Sequence, residues 1–485
     1  MSSDPSRLAS RLRELLRSTP APAGTRDAAS ELDETAGARS GRRELSYVAD
    51  DLAVLGAQTA GGCAVVDRHY ELHVPHGGRT VARYHDALAR CLPALAVLAA
   101  DERAAAAREP RASRLEWDRD RRLADDRPRV GVPTGGPLLF FDLETTGLSG
   151  GAGTLAFLAG CGFFDEEGFH TRQFFLSGYE AERELLETLT SLAGGFNGLV
   201  TFNGRTFDVP LIETRYLFHR LDSPFAALPH FDMLHPARKL WRRRSVGQPS
   251  HRDRWSGGRP GEGASCALGA LEEAILGVQR FDDVPGSEIP SRYFAYLRTG
   301  DLAPLAAVFE HNRLDLLSLA ALTAIAAQMA AEGPSGTPSP HEALAMGQIY
   351  TRLGRSAEAD ACFSRAAGLG DSPWDSRSVD GAVRADALRH LALERRRRRQ
   401  YAGAAEAWER LLESDPDPAL TQEARRALAI HHEHRARNLD AARQIAERAL
   451  ASEHDPGEAD ALRHRLARLE RKLAPTRPRP RLELP

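Results

Sequence analysis

A hydrophobic run that ends in two closely spaced carboxylates constrains this chain more than any other feature. The run is "PLLFFDLETTGL", in which one leucine separates Asp142 from Glu144. Successive side chains of a β-strand point to opposite faces, so the two carboxylates share a face. Their repulsion is unfavourable unless a cation, a proton or a basic group offsets it, and carboxylate oxygens suit a hard divalent ion such as Mg²⁺. Two solvated carboxylates at a strand end would give the same short motif, so both interpretations stay open here.

The segments that follow predict a mixed sheet covered by helices. "GTLAFLAGCGFF" and "FHTRQFFLSG" have the composition of strands and are joined by the turn-rich "DEEG". "EAERELLETLTSLAGG" has helical periodicity and a glycine stop, and "GLVTFNG" is typical of a buried strand. Three strands in succession, followed by alternating helix and strand, are typical of an RNase H-like domain. We therefore predict the α/β class, with an RNase H-like mixed sheet flanked by helices.

The composition changes after "AEGPSGTPSP", where alanine, arginine, glutamate and leucine recur with helical periodicity. Small residues and an aromatic residue recur at the spacing of paired helices. In the first unit they are Gly347, Tyr350, Ala359, Phe363 and Ala366, and in the second they are Ala392, Ala404, Trp408, Leu411 and Pro416. The pattern predicts an all-α domain of tetratricopeptide-like repeats, which we expect to bind a protein partner rather than to perform chemistry.

These changes divide the chain into six segments. They are a flexible N-terminal segment (1–45), a small region of unclear fold (46–130), the RNase H-like domain (131–332), a linker (333–340), the repeats (341–470) and a flexible tail (471–485). Within the second segment, "GGCAVVDRHYELHVPHGG" is consistent with a hairpin and "HDALARCLPALAVLAADERAAAA" with a helix.

Composition bears on the partners and the cellular compartment that we expect for the protein. The chain has 64 basic and 67 acidic residues, so any contact with nucleic acid must come from local patches rather than from a global positive charge. The five cysteines form no CxxC pair and no evident disulfide framework, which suits a reducing cytoplasm. We expect no apolar run long enough to cross a bilayer, and hence no membrane partner.

Three further residues complete a candidate acidic site. The strand in "VTFNGRTFDVP" runs into the turn pair Asn203 and Gly204 and delivers Asp208 to the start of a helix, where it could also be only a helix cap. In "FEHNRLDLLSLAAL", His311 and Asp315 are four residues apart and therefore share one helical face.

This set of residues resembles the DEDD exonucleases. The three motifs are Asp142-Leu-Glu144-Thr-Thr-Gly-Leu, Asn203 to Asp208, and His311 to Asp315. "DMLHPARKLWR", "CALGALEEAILGV" and "DVPGSEIPSRYFAYLRTGD" further resemble the YprB-type RNase H-like family of bacterial proteins, which often carry tetratricopeptide repeats. The resemblance covers about residues 135 to 330.

The resemblance implies a metal-dependent 3′→5′ exonuclease that acts on an end of DNA or RNA by a two-metal-ion mechanism. The implied ligands of two Mg²⁺ or Mn²⁺ ions are Asp142, Glu144, Asp208 and Asp315. The implied substrate-binding residues are Thr145, Thr146, Leu148 and Asn203. His311 is the implied general base. Three residues separate it from Asp315, which is the spacing of the subclass that uses tyrosine, so its role as a base is less directly supported than the four ligands.

Two other functions stay open. The same carboxylates could serve an RNase H-like endonuclease, or the nuclease fold could be a scaffold that acts through its repeats. The basic run "ARKLWRRR" contains Trp241 and is a candidate for contact with a nucleic-acid backbone, although most charge runs are solvated faces. Asp232, in "HFDML", is expected to hold a loop and is a reserve metal ligand.

Overall fold

A seven-stranded mixed sheet carries the candidate site in the computed structural model of the protein. The structure describes residues 57–60, 63–100, 133, 135–147, 153–241, 266–281, 283–414 and 416–474. The strands are β1 (Ala57–Ala60), β2 (Cys63–Glu71), β3 (Pro75–His76), β4 (Arg79–Thr80), β5 (Leu138–Thr145), β6 (Ala156–Phe164), β7 (Gly168–Phe175), β8 (Gly198–Thr201) and β9 (His230–Asp232).

The large sheet has the order β1-β2-β7-β6-β5-β8-β9, and β3 pairs only with β4. Strands β1, β2, β7, β6 and β5 are antiparallel to their neighbours, whereas β5, β8 and β9 run parallel. Parallel strands bring their carboxyl ends to one edge of a sheet, which is where ligands commonly bind. Leu139, Phe140 and Phe141 of β5 are fully buried, because both faces of this strand are covered. The predicted RNase H-like mixed sheet is confirmed.

Residues 57–60 and 63–71, which belong to the segment 46–130 whose fold the sequence left unclear, extend this sheet. β1 and β2 form a hairpin, and β2 pairs along its length with β7. The residues between β2 and the next helix form the small β3–β4 ladder. The described part of the N-terminal region therefore shares its sheet with the nuclease-like domain.

Seven helices whose two ends lie in the described part of the chain cover the sheet or lie beside it. They are α1 (Val81–Cys91), α2 (Glu182–Ala193), α3 (Asp208–Phe218), α4 (Leu234–Trp241), α5 (Leu268–Leu271, continued by a π-helix at Glu272–Leu276), α6 (Ile289–Thr299) and α7 (Ala303–Glu332). Short 3₁₀ turns occur at Leu92–Ala94, Tyr179–Ala181, Phe225–Ala227 and Gly333–Gly336.

Helix α7 is the longest helix among the described residues, and it packs across β5, β6 and β7 and against α1. It is long and apolar enough to cross a membrane by length and composition, so the expectation that no such run exists is wrong. The reason is its alanine- and leucine-rich second half, which supplies the core of the protein. In its most apolar window 72% of the residues are buried inside the protein.

The described C-terminal residues, 340–414 and 416–474, form an all-helical region, as predicted. Its helices are α8 (Pro340–Arg352), α9 (Ser356–Ala366), α10 (Gly381–Arg397), α11 (Tyr401–Glu413), α12 (Pro418–His434), α13 (Leu439–Ala451) and α14 (Pro456–Leu473). Each helix packs on the next one along the chain, and α8 also contacts α4. One hydrophobic cluster runs from the sheet into these helices. The domain boundaries, the tetratricopeptide-like type of the repeats and their protein partner stay predictions.

The predicted contact between small and aromatic residues is present in the first helix pair. Gly347 of α8 is buried against the ring of Phe363 of α9, and a Cβ atom at position 347 would lie 2.5 Å from Phe363 Cε1. Phe363 belongs to the shared hydrophobic core, and Gly347 is buried beside it. A glycine is therefore needed here for two helices to approach closely.

Gly347→Ala should destabilise the protein even though alanine is the better helix former. The added methyl group overlaps the Phe363 ring, and overpacking of a core typically costs about 1–3 kcal/mol. We expect a lower urea midpoint when unfolding is followed by helical circular dichroism. Gly381→Ala is the matched control, because a Cβ at that helix start has no neighbour within 4 Å. An unchanged midpoint for Gly347→Ala would contradict the packing.

Candidate functional site

The end of β5 supplies the first two carboxylates of the site. Asp142 is half-buried, and Glu144 is 9% exposed. The ladder with β6 is regular up to Glu144 and shifts register between Glu144 and Thr145. This irregularity ends the pairing immediately after the two acidic residues.

Asp208 joins these carboxylates from the parallel side of the sheet. After β8 the chain turns at Asn203, which has a φ of 66°, and Gly204, and α3 then begins at Asp208. Asp232, at the end of β9, holds this turn because its carboxylate accepts hydrogen bonds from the backbone N–H groups of Asn203 (2.8 Å), Arg205 (3.0 Å) and Leu234 (3.1 Å). The structural role predicted for Asp232 agrees with these contacts.

Helix α7 brings three further residues to the same place. His311 Nε2 lies 3.4 Å from Asp315 Oδ2 and 4.0 Å from Glu144 Oε1. The fully buried Asn312 donates from Nδ2 to Asp142 Oδ2 at 2.8 Å, and its Oδ1 accepts from Gln173 of β7 at 2.9 Å. The five predicted catalytic residues are thus brought together from β5, α3 and α7.

Four residues of the site were missed by the sequence reasoning: Glu272, Arg280 and Asp283, which lie between the start of the π-helix at Glu272 and the start of α6, and Asn312 of α7. Arg280 is buried and forms ion pairs with Glu272 and Asp315. Asp283 Oδ1 lies 2.6 Å from His311 Nδ1. No local pattern indicates the contacts of Arg280 with Asp315 and of Asp283 with His311, because they join residues about thirty positions apart in sequence. Asn312 was missed, although its position three residues before Asp315 on one helix places both on one face.

Burial and mutual repulsion make the cluster unfavourable for negative charge. Burial raises the pKa of Asp142 well above its ordinary value, and the neighbouring carboxylates raise it further. Burial raises the pKa of Glu144 to about 8, although the charge of His311 opposes the shift. Burial, with repulsion by Asp232, raises the pKa of Asp208 to about 7, although backbone hydrogen bonds oppose it. A bound cation would relieve this repulsion.

The predicted substrate-binding residues have other contacts in the structure. The Thr145 hydroxyl donates to the carbonyl oxygen of Gly147 (2.9 Å), and the Thr146 hydroxyl accepts from the N–H of Leu155 (2.9 Å), so both shape the turn after β5. Leu148 lies outside the described residues. Trp241 is 1% exposed and packs in the core, so it cannot stack on a base from the basic run that contains it.

A second cluster of metal-ligating side chains lies elsewhere on the sheet. Donor atoms of His69, Asp165 and His170 lie within 4.8 Å of one another. Asp142 pairs with Gly160 of β6. Asp165 lies five residues after Gly160, which at the rise of a strand places it roughly 17 Å from Asp142 along the sheet. The two clusters are therefore separate.

Comparison with known proteins agrees with this architecture. A family model described as the RNase_H superfamily matches residues 139–327, which include all five predicted catalytic residues. The Bacillus subtilis (strain 168) protein named "Uncharacterized protein YprB" is 31% identical over 343 residues, which are 69% of this chain and 75% of the relative. This chain belongs to the YprB family of RNase H-like proteins. Membership of this superfamily supports a nuclease-type function with a nucleic-acid substrate, and nucleases of this kind generally use divalent metal ions.

The raised pKa values in this YprB-family site predict that pH controls metal binding. In the metal-free folded protein the carboxyl groups of Glu144 and Asp208 keep protons that the unfolded chain has lost above about pH 4.5, so the site destabilises the fold as pH rises towards 7 or 8. A cation must displace these protons. We expect the affinity for Mn²⁺ to rise by about tenfold or more from pH 6.0 to pH 7.5.

Thermal unfolding with and without Mn²⁺ at the two pH values measures this effect. The rise in Tm caused by Mn²⁺ should be larger at pH 7.5, and Glu144→Gln should reduce the difference because it removes one titrating ligand. Equal stabilisation at both pH values, or a pH dependence that is undiminished in Glu144→Gln, would contradict the assignment.

Proposed function

We propose that the protein is a metal-dependent 3′→5′ exonuclease that hydrolyses phosphodiester bonds at an end of DNA or RNA with two divalent ions, Mg²⁺ or Mn²⁺. The observation that carries the proposal is the convergence of four carboxylates from β5, α3 and α7 in one partly buried niche. They are Asp142, Glu144, Asp208 and Asp315. The exonucleolytic mode and its polarity rest on the resemblance of the first motif to that of the DEDD exonucleases.

The residues present fit a divalent metal. Carboxylate oxygens are the ligands that Mg²⁺ and Mn²⁺ prefer, and the raised pKa values of Asp142, Glu144 and Asp208 mean that a cation is the natural counter-charge. When bound, the ions supply Lewis acidity, which activates water and stabilises the leaving oxygen of the phosphodiester.

The chain's own side chains then hold and orient the reacting groups. The His311 ring presents Nε2 to the carboxylates, at a place where it can take the proton of the attacking water. Asn312 fixes one oxygen of Asp142 and so leaves the other free for a ligand bond. Burial lowers the pKa of His311, but the negative charges of Asp315, Asp283 and Glu144 together raise it above its ordinary value. A cation that neutralises these carboxylates would therefore favour the unprotonated imidazole, which is the form that can act as a base.

Two exposed aromatic rings belong to residues that adjoin site residues in sequence, and such rings suit a nucleic-acid substrate. Phe207 is 53% exposed and precedes Asp208, and Phe281 is 85% exposed and follows Arg280. Leaving large rings in water is unfavourable, and such rings commonly stack on the bases of single strands. The rings therefore favour an unpaired strand as the substrate.

Loss of a metal ligand should abolish hydrolysis while the fold survives. We expect Asp142→Asn and Asp208→Asn each to reduce the rate by more than about a hundredfold, since changes to outer-shell partners alone reach that value. Asp222→Asn, in an exposed loop, is the matched control. The assay uses end-labelled linear and circular single strands of DNA and RNA with Mn²⁺. Full activity in either ligand variant or in chelator would refute the site, and cleaved circles would favour an endonuclease.

His311 should matter for rate rather than for metal binding. General-base assistance is worth roughly 10²–10⁴-fold, so His311→Ala should lower the single-turnover rate by about that factor at saturating Mn²⁺. His311→Tyr should retain more activity than His311→Ala, because a phenol can still hold the attacking water. If His311→Ala is as fast as the parent protein, His311 has no role in the reaction.

Phe281→Ala should weaken binding of a single-stranded oligonucleotide. Stacking of one base on one ring is worth about 1–3 kcal/mol, which corresponds to a rise of about 5- to 150-fold in Kd. Phe218→Ala is the matched control, because Phe218 is 69% exposed but lies at the far end of α3 from Asp208. Fluorescence anisotropy of a labelled 15-mer with Ca²⁺ measures both. Equal affinities for the two variants would show that Phe281 does not contact the strand.

A further inference from the structure

We infer that Asp283 is a positioning residue of this site, which holds the His311 ring so that its Nε2 faces the carboxylates. Asp283 belongs to none of the three motifs that define the predicted site. The inference rests on the proposed function, because it assigns a role within the same reaction.

The two nitrogens of His311 have different partners. Nδ1 lies 2.6 Å from Asp283 Oδ1, whereas Nε2 lies 3.4 Å from Asp315 Oδ2. An ionised carboxylate only accepts hydrogen bonds, so the neutral imidazole carries its proton on Nδ1 and leaves a lone pair on Nε2. A general base at Nε2 requires this tautomer.

Arg280 is a competing partner of the same nitrogen, but its contact is weaker. Its NH1 group lies 3.4 Å from His311 Nδ1, a longer distance than the 2.6 Å of the Asp283 contact. Short hydrogen bonds to a charged acceptor are the strong ones, so Asp283 decides the tautomer. The guanidinium is instead held by Glu272, which accepts from Nε at 2.6 Å, and by Asp315.

Asp283 itself is held in place. Its Oδ1 accepts a hydrogen bond from the backbone N–H of Val284 at 2.9 Å, and the Val284 side chain is 1% exposed. The Arg280 guanidinium lies 3.8 Å from its second oxygen. The side chains of Asp283 and His311 are only 16% and 9% exposed, so the pair is largely shielded from water. A fixed acceptor behind a fixed ring is the arrangement that preorganises a base.

A double-mutant cycle tests the inference. Single-turnover rates on a labelled single-stranded 15-mer at saturating Mn²⁺ are compared for the parent protein, Asp283→Ala, His311→Ala and the double variant. We expect Asp283→Ala to lower the rate by about 10- to 100-fold with little change in KM, and Asp283→Asn to retain more activity because its amide oxygen can accept from Nδ1. Asp222→Asn should match the parent protein.

The decisive result is the effect of Asp283→Ala when His311 is absent. If Asp283 acts through His311, the second change should alter the His311→Ala rate by less than roughly twofold. An equal loss in both backgrounds would overturn the inference, because Asp283 would then only support the fold.

Crystal structures keep the inference separable from the proposed function. If the parent protein cleaves no substrate, the proposed function fails, and the structures of the parent protein and Asp283→Ala decide the positioning role. We expect the His311 ring to rotate in the variant so that Nε2 lies beyond about 3.5 Å from Asp315 Oδ2. A ring that keeps its place without Asp283 would overturn the inference.

Discussion

Repulsion among four carboxylates is the constraint on which the rest of the site depends. Burial of negative charges without counter-charges is unfavourable. The raised pKa values of Asp142, Glu144 and Asp208 reflect this unfavourable free energy. The parallel pairing of β5, β8 and β9 nevertheless directs the acidic strand end and the start of α3 to one edge of the sheet. A fold that brings these four carboxylates together without fully neutralising them favours the binding of a cation.

Helix α7 joins this site to the core of the protein. In its first half His311 and Asn312 contact Glu144 and Asp142 of β5, and Asp315 contacts His311. Its second half is almost continuously buried. Close approach requires small residues on the sheet. A Cβ atom at Gly160 of β6 would overlap the Asn312 side chain, which bonds to Asp142 and to Gln173. The same helix thus contributes to the packing of the core and to the geometry of the candidate site.

Local patterns in the sequence predicted the elements that carry the acidic residues. The strand ending at Asp142 and Glu144 and the helical spacing of His311 and Asp315 depend on neighbours within a few residues, so alternation and periodicity reveal them. The expectation that no apolar run is long enough to cross a membrane was nevertheless wrong, because the charged first half of helix α7 obscures its apolar second half in the sequence. The pairing of β2 with β7 joins segments about a hundred residues apart, and no local signal encodes it.

The same reasoning explains which site residues were missed. Arg280 and Asp283 contact Asp315 and His311 only because of the tertiary fold. The i, i+4 rule describes neighbours on one helix and therefore could not predict these contacts. Trp241 was a candidate for base stacking because it lies in a basic run, but the amphipathic helix α4 turns it into the core. The hydroxyl groups of Thr145 and Thr146 form hydrogen bonds with the backbone of the turn after β5. These local hydrogen bonds compete with any hydrogen bond from the same hydroxyl groups to a substrate.

The location of a bound metal tests the central claim most directly. Crystals soaked in Mn²⁺ and measured for anomalous scattering should show peaks bounded by Asp142, Glu144, Asp208 and Asp315, with oxygen distances of about 2.0–2.3 Å. The cluster of His69, Asp165 and His170 provides an internal comparison, because it offers metal ligands at a separate place on the sheet. Anomalous density at that cluster, with none among the four carboxylates under the same conditions, would contradict the account.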